Sequence, residues 1–172
     1  MKYGRIFELD GANGIGCRTS LFVSGCTHHC EGCFNQETWD FDYGSEFTLN
    51  TVSYLLGTLK NDFTDGISIL GGEPMELPNQ RALLPLVCSV KAMGKSVWIY
   101  SGYTWEELTD VRNRRCRGPV TDLLLSQTDV LVDGEFVQAQ RDLRLRFRGS
   151  SNQRIIDVPR SLSEGRPVIL DI

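Results

Sequence analysis

Short apolar strands alternate with helices along most of the chain, and this alternation is the feature that most restricts the possible folds. Strands are predicted at residues 19–24, 66–70, 97–100 and 129–132, and no strand is predicted before them. These strands are apolar on both faces, which is typical of parallel strands that lie between two layers. The pattern therefore predicts an α/β protein with a parallel sheet.

Helices are predicted between these strands. Apolar residues recur at helical spacing over 49–59, where Thr48 or Asn50 is placed to cap the helix. A second helix is predicted at 79–93, although its internal Pro85 is expected to kink or shorten it. Thr104 and Glu107 have the spacing of a capping box, and a weaker helical pattern covers 120–126.

The length of the chain limits the architecture further. A complete eightfold α/β barrel takes about 250 residues, whereas this chain has 172. A doubly wound sheet and an incomplete barrel both remain possible, and we favour an incomplete, open parallel barrel in a single domain at residues 1–160. Further strands are predicted at 154–158 and 168–170, and residues 161–172 are treated as a C-terminal extension without an assignment.

Composition excludes several classes of protein. Apolar residues make up 41% and charged residues 23% of the chain, as in ordinary globular proteins. No run approaches the roughly 18 apolar residues of a membrane helix, and the N-terminus lacks the apolar core of a signal peptide. The net charge of −4 argues against nucleic acid. We therefore predict a cytoplasmic protein with neither a membrane nor a nucleic acid as partner.

Unusual polar segments follow each of the four predicted strands. In chain order they are Cys26–Cys33, Gly71-Gly72-Glu73-Pro74, Ser101-Gly102-Tyr103 and Asp133-Gly134-Glu135. Ligands of open parallel sheets and barrels bind at the carboxyl ends of the strands. The sequence therefore predicts that all four segments contribute to one site.

The first segment contains three cysteines, Cys26, Cys30 and Cys33, in the spacing C-x3-C-x2-C. Thiolates are soft ligands that favour zinc, copper(I) or iron–sulfur clusters. Three cysteines in one tight loop can hold three corners of a cubane cluster and leave its fourth iron without a protein ligand. Such an open iron could bind a substrate or cofactor.

A structural zinc site is the main alternative for this loop, with His28 or His29 as the fourth ligand. Structural zinc sites normally combine two short ligand pairs separated by a spacer, and no second pair is present. We therefore interpret both histidines as loop residues. The remaining cysteines are scattered and are interpreted as small apolar fillers; they are Cys17, Cys88 and Cys116.

The second segment ends a strand with two glycines and an acid. Gly71 and Gly72 allow a ligand to approach the backbone closely, and Glu73 can accept a charge-assisted hydrogen bond from an ammonium group. An ordinary turn would also use these residue types. The segment lies directly after the strand that follows the cysteine loop, and this position favours a binding role.

Together these two segments resemble the radical S-adenosylmethionine superfamily, whose signature is C-x3-C-x-Φ-C followed by a Gly-Gly-Glu motif. The resemblance implies a [4Fe–4S] cluster on Cys26, Cys30 and Cys33. It also implies that the amino and carboxylate groups of S-adenosylmethionine chelate the open iron, with the amino group held by the Gly71-Gly72-Glu73 segment. The cofactor is then cleaved reductively by an electron from the cluster.

The resemblance is imperfect at one position. The superfamily usually has an aromatic residue before the last cysteine, where this chain has Gly32, while Phe34 follows Cys33. Contacts to the adenine are therefore expected from the Gly32 backbone and from Phe34. Ser101 and Asp133 are candidates for contacts to the ribose or carboxylate of the cofactor, although ordinary loop polarity explains them equally well.

Four other segments resemble the activating enzymes of anaerobic ribonucleotide reductase, which are glycyl-radical-enzyme activases. These segments are Gly14–Arg18, Phe22–Cys26, Leu131–Phe136 and Gly149–Arg154. The resemblance implies a glycyl radical protein, the large subunit of that reductase, as partner, and a flavodoxin-type electron donor. The alternatives are a radical enzyme for a small molecule, such as 7-carboxy-7-deazaguanine synthase, and a zinc-stabilised interaction module.

Arginines are concentrated in two stretches, residues 112–117 and 141–148. A solvated surface explains them adequately. A more specific interpretation is that they dock an acidic surface of a partner protein.

Overall fold

A computed structural model describes residues 1–172, and a seven-stranded sheet forms its centre. The strands are β1 Lys2–Asp10, β2 Arg18–Val23, β3 Ser45–Glu46, β4 Gly66–Gly71, β5 Ser96–Tyr100, β6 Val130–Asp133 and β7 Arg154–Asp157. Their order across the sheet is β3-β1-β2-β4-β5-β6-β7. Strands β2, β4, β5 and β6 are parallel, whereas β1, β3 and β7 pair antiparallel at the two sides.

Five helices accompany the sheet: α1 Leu49–Thr58, α2 Leu77–Ala92, α3 Trp105–Thr109, α4 Thr121–Ser126 and α5 Val158–Glu164. Thr48 caps α1, and Thr104 with Glu107 forms the predicted capping box of α3. The expectation that Pro85 shortens its helix was wrong, because α2 continues through it. Pro85 lies on the exposed side, so the carbonyl it leaves unpaired can bond to water. No helix is both long and apolar enough to span a bilayer.

The prediction of a mixed α/β domain with a mostly parallel sheet is confirmed for the four central strands. Strand β1 was not predicted. Its sequence, KYGRIFELD, alternates charged with apolar residues, and most of the strand is exposed or half-buried. A strand of this kind lacks the continuous apolar run that reveals a buried parallel strand.

The domain boundary expected at residue 160 falls inside α5, and residues 161–164 continue that helix. The chain then returns to the sheet, where Asp157 N–H donates to the Val168 carbonyl and Leu170 N–H donates to the Ile155 carbonyl. The last twelve residues therefore belong to the single domain.

The two faces of the sheet serve different purposes. One face packs against the helices and forms the main apolar core, which includes Leu21, Ile69 and Ile99. The opposite face carries a smaller apolar cluster around Trp98. Toward the carboxyl ends of the strands, this second face forms a wall of a large cavity through Phe22, Leu70 and Tyr100.

Arg18 lies on this second face as a fully buried cation without a carboxylate partner. Its Nε donates to Ser68 Oγ at 2.7 Å, its Nη2 to the Ile67 carbonyl at 2.8 Å and its Nη1 to Ser96 Oγ at 2.9 Å. The guanidinium also lies over the Trp98 ring, 5.3 Å from its centroid. These bonds connect β2, β4 and β5 beneath the cavity.

We expect Arg18→Met to lower the free energy of unfolding by about 3 kcal/mol, because it leaves several buried acceptors without a donor. Urea unfolding of the apoprotein measures this change. Arg81→Met is the control, since Arg81 is exposed on α2, and it should change stability by less than about 0.5 kcal/mol. Equal stabilities of the two variants would show that the Arg18 bonds contribute nothing net.

Candidate functional site

The carboxyl ends of the parallel strands bring the four polar segments of the sequence to one cavity of about 610 Å³. Of the residues predicted to form the site, the cavity is lined by Cys26, Cys30, Cys33, Phe34, Gly71, Gly72, Glu73 and Ser101. Gly32 and Asp133 do not line it. Much of the remaining wall is apolar and aromatic, and includes Phe136 and Phe147.

The cysteine loop is held by backbone hydrogen bonds to a short 3-10 helix, Gln36–Trp39. Gly25 N–H donates to the Thr38 carbonyl at 2.8 Å, and Cys26 N–H donates to the Trp39 carbonyl at 3.0 Å. Gly32 has a φ of +71°, and a Cβ there would overlap the Gln138 side chain. The left-handed backbone conformation at this position favours glycine over any residue with a side chain.

All three cysteines of the loop line the cavity. Nowhere in the chain do three or more Cys, His, Asp or Glu side chains converge as ligands of one ion. In a cubane cluster each thiolate binds a separate iron, so the thiolates lie around the cluster and do not converge on one point. Burial raises the pKa of Cys26 to about 12 and also raises the pKa of Cys30. A metal bound by these thiols would have to displace their protons.

The Gly-Gly-Glu segment packs directly against the cysteine loop. Gly72 N–H donates to the Val23 carbonyl and Glu73 N–H donates to the Gly25 carbonyl, both at 2.8 Å. A Cβ on Gly72 would lie 2.7 Å from the Gly25 carbonyl oxygen, which as backbone could not move aside. Gly71 has a φ of +100° and is equally close to the backbone of β2. The segment is thus a fixed part of the site and not an ordinary surface turn.

Glu73 is almost completely buried, and protein donors occupy most of its carboxylate. Its Oε1 accepts from Met75 N–H at 2.7 Å and from Ser101 Oγ–H at 2.8 Å, and its Oε2 accepts from Gly102 N–H at 2.6 Å. A carboxylate has about four acceptor positions, so one position remains on Oε2. The Nε2 atom of His28 lies 3.2 Å from Oε2 but is not aligned for a hydrogen bond.

His28 is not the ordinary loop residue that the sequence suggested. Its side chain is only 2% exposed, its Nδ1 lies 2.7 Å from Glu135 Oε1, and its ring packs edge-on against Tyr103. Burial by itself would lower the pKa of His28, but its contacts with Glu73 and Glu135 outweigh burial and raise it. His29, by contrast, is an exposed loop residue that stacks on Trp39.

Ser101 and Asp133 have structural partners within the protein. Ser101 donates to Glu73, as described above, and accepts from Tyr103 N–H. The Asp133 carboxylate accepts from Trp105 N–H at 2.7 Å and from Arg154 Nε at 3.0 Å. Asp133 therefore anchors α3 and β7, and its carboxylate is directed away from the cavity.

The segment from residue 149 to 154 braces the cysteine loop, a role that its composition did not indicate. Phe34 packs against Phe136 with the ring centroids 5.2 Å apart, and a Cβ on Gly149 would lie 3.2 Å or less from both rings. Gln153 holds this arrangement in place, because it donates to the Gly134 carbonyl and accepts from Gly149 N–H. Only the resemblance to activases singled out this segment.

Comparison with known proteins agrees with this geometry. The family described as a 4Fe-4S single cluster domain matches residues 12–156. An anaerobic ribonucleoside-triphosphate reductase-activating protein from Vibrio cholerae is 41% identical over 90% of this chain and 97% of its own length. The chain belongs to the anaerobic ribonucleoside-triphosphate reductase-activating protein family. Members from phage T4 and Escherichia coli K12 are 37% and 39% identical, over 90% and 89% of this chain and 93% and 96% of their own lengths.

The match to the 4Fe-4S single cluster domain family favours an iron–sulfur cluster over structural zinc. The matched region includes the whole cysteine loop and the Gly-Gly-Glu segment. The chain spans nearly the full length of the activating proteins that it matches, so the cavity and its walls lie within the shared region.

Proposed function

We propose that this protein is a radical S-adenosylmethionine activase that generates a glycyl radical on the large subunit of anaerobic ribonucleoside-triphosphate reductase. The observation that carries this proposal is the contact between the cysteine loop and the Gly-Gly-Glu segment on the wall of one cavity. The names of the relatives support the reductase as the target. The cavity lies open at the edge of the sheet, where the glycine of another protein could enter it.

Each group of residues has a distinct role in this proposal. Cys26, Cys30 and Cys33 hold a [4Fe–4S] cluster, and the Gly71-Gly72-Glu73 segment receives the amino group of S-adenosylmethionine. Phe34 lies beside Cys33 and supplies an aromatic face for the adenine. When bound, the cluster, reduced by one electron from a donor protein, and S-adenosylmethionine would together supply the radical chemistry that removes a hydrogen atom from the glycine.

The remaining cavity wall excludes water from this chemistry. Aromatic and aliphatic side chains from β2, β4 and β5 face the cavity, together with Phe136 and Phe147. A reactive radical requires such surroundings, because water and polar hydrogen donors would divert it. In this proposal the central strands form an open partial barrel of the radical S-adenosylmethionine type, and the reductase covers its open side.

Anaerobic reconstitution with iron and sulfide, followed by S-adenosylmethionine and dithionite, tests the proposal. We expect a brown protein that releases methionine and 5′-deoxyadenosine, and an electron paramagnetic resonance signal of a glycyl radical on added reductase. A flavodoxin-type protein should replace dithionite as the electron donor. A colourless protein with one zinc would contradict the proposal, as would turnover of a pterin without any reductase.

A further inference from the structure

Three exposed arginines without a carboxylate partner surround the cavity and its cysteine loop, and we call them the arginine rim. Each stacks on an aromatic ring of the site: Arg115 on Tyr103, Arg141 on Phe34 and Arg146 on Phe147, with guanidinium carbons 5.1, 4.9 and 5.1 Å from the ring centroids. Phe34 and Phe147 line the cavity itself. Arg115 also reaches Thr27, the residue after Cys26.

Stacking prepares these arginines to bind a carboxylate. A guanidinium held flat on a ring keeps the N–H groups at its edge available for two parallel hydrogen bonds. No Asp or Glu lies within salt-bridge distance of any of the three side chains, although other exposed arginines of this chain have such a partner, for example Arg112 and Arg144. The rim thus presents cations whose binding capacity is unused.

Two carboxylates near the rim are already paired with other side chains. Asp142 is paired with Arg144 at 2.8 Å, and this arginine lowers the pKa of Asp142 to about 2. Glu135 is paired with His28. The chain as a whole has a net charge of −4, so the unpaired cations at the rim are a local feature and not a consequence of overall composition.

Exposed apolar side chains lie among these cations. Leu143 lines the cavity and is 82% exposed, and Phe34 is 54% exposed. An apolar centre inside a charged and polar border is the usual composition of a protein–protein interface. Nucleic acid is less suitable, because the chain as a whole is acidic.

We propose that the arginine rim docks an acidic segment of the reductase beside the glycine that enters the cavity. This inference rests on the proposed function, which makes the reductase the protein that must cover the cavity mouth. A protein seated on that mouth necessarily contacts Phe34, Leu143 and the arginines stacked around them. The electron donor is the competing partner, but it delivers an electron without inserting a segment into the cavity.

The test compares two double variants of the reconstituted protein that remove the same charge. Arg141→Gln with Arg146→Gln neutralises part of the rim, whereas Lys60→Gln with Arg81→Gln neutralises two exposed cations remote from the cavity. Association with the reductase is measured by biolayer interferometry at low and high salt. We expect the rim variant to associate about tenfold more slowly at low salt and to lose most of the salt dependence.

Two further measurements distinguish a loss of charge at the rim from a general loss of activity. Arg141→Lys with Arg146→Lys retains the charge and should associate nearly as fast as the wild type. Release of 5′-deoxyadenosine with dithionite and without reductase should be the same in all variants, since neither arginine lines the cavity and the Phe34 and Phe147 rings are unchanged. The control double variant should resemble the wild type in every assay.

Several results would overturn the rim proposal. The rim variant could associate with the reductase like the wild type and show the same salt dependence, or it could be slowed only toward the electron donor. A wild-type protein that does not bind the reductase would also overturn it. Failure of the proposed function would look different: the wild type would bind the reductase but place no glycyl radical on it.

Discussion

Replacing Cys30 with alanine is expected to abolish the release of 5′-deoxyadenosine, whereas Cys88→Ala leaves it almost unchanged. Cys30 lines the cavity together with Cys26 and Cys33, and a cluster that loses one of three ligands in a single loop is no longer held in place. Cys88 is half-buried in α2, on the helix-covered side of the sheet, and does not line the cavity. Its replacement by alanine removes only one sulfur from a packed helix surface.

Iron and sulfide content, the visible absorption of the cluster and the amount of 5′-deoxyadenosine measure this effect. Cys30→Ala should lose both the stable cluster and the product, while Cys88→Ala should retain both. The assignment of the three cluster ligands is wrong if the two variants behave alike in these assays.

The second large effect is expected for Glu73→Gln, which should reduce 5′-deoxyadenosine formation by about 100-fold or more. Donors approach both oxygens of Glu73: Met75 and Ser101 at one, Gly102 at the other. An amide presents its own N–H groups on one side, so at least one of these donors would face another donor. The resulting unsatisfied groups cost about 1–3 kcal/mol and shift the segment against the cysteine loop.

Glu76→Gln is a matched control, because Glu76 is also buried and lies only three residues away. Its hydrogen bonds converge on Oε1 alone, which accepts from Thr27 N–H at 3.0 Å, from Thr27 Oγ at 2.5 Å and from Tyr103 Oη at 3.4 Å. A glutamine can keep that oxygen in place and should retain most of the activity. If Glu73→Gln were as active as Glu76→Gln, the Glu73 carboxylate would have no special role.

These two predictions concern one connected unit. The cysteine loop and the Gly-Gly-Glu segment share backbone hydrogen bonds at Gly72 and Glu73, and His28 lies between Glu73 and Glu135. A displacement of either segment therefore changes the position of the other. Cluster stability and cofactor affinity should consequently be measured together in every variant of this unit.

The sequence allowed the central strands and most helix starts to be predicted because these depend on local patterns. A strand buried on both faces needs a continuous apolar run, as in 66–70, and the capping box at Thr104 uses a fixed spacing. Strand β1 was not predicted because it is only partly buried. At the C-terminus a strand was predicted at 168–170, but its pairing with β7 was not, because such pairing leaves no local signal in the sequence.

The α/β class follows from the sequence pattern alone. So does the meeting of the cysteine loop with the Gly-Gly-Glu segment at one edge of the sheet, because the carboxyl ends of successive parallel strands lie at the same edge. The partners of the polar side chains, in contrast, depend on the tertiary structure. It buried His28 between two carboxylates and committed Asp133 to Arg154. It also joined Arg115 to arginines more than twenty positions later around a common cavity. Such roles depend on which polar groups remain unpaired after the chain has packed, and this cannot be read from the order of residues in the sequence.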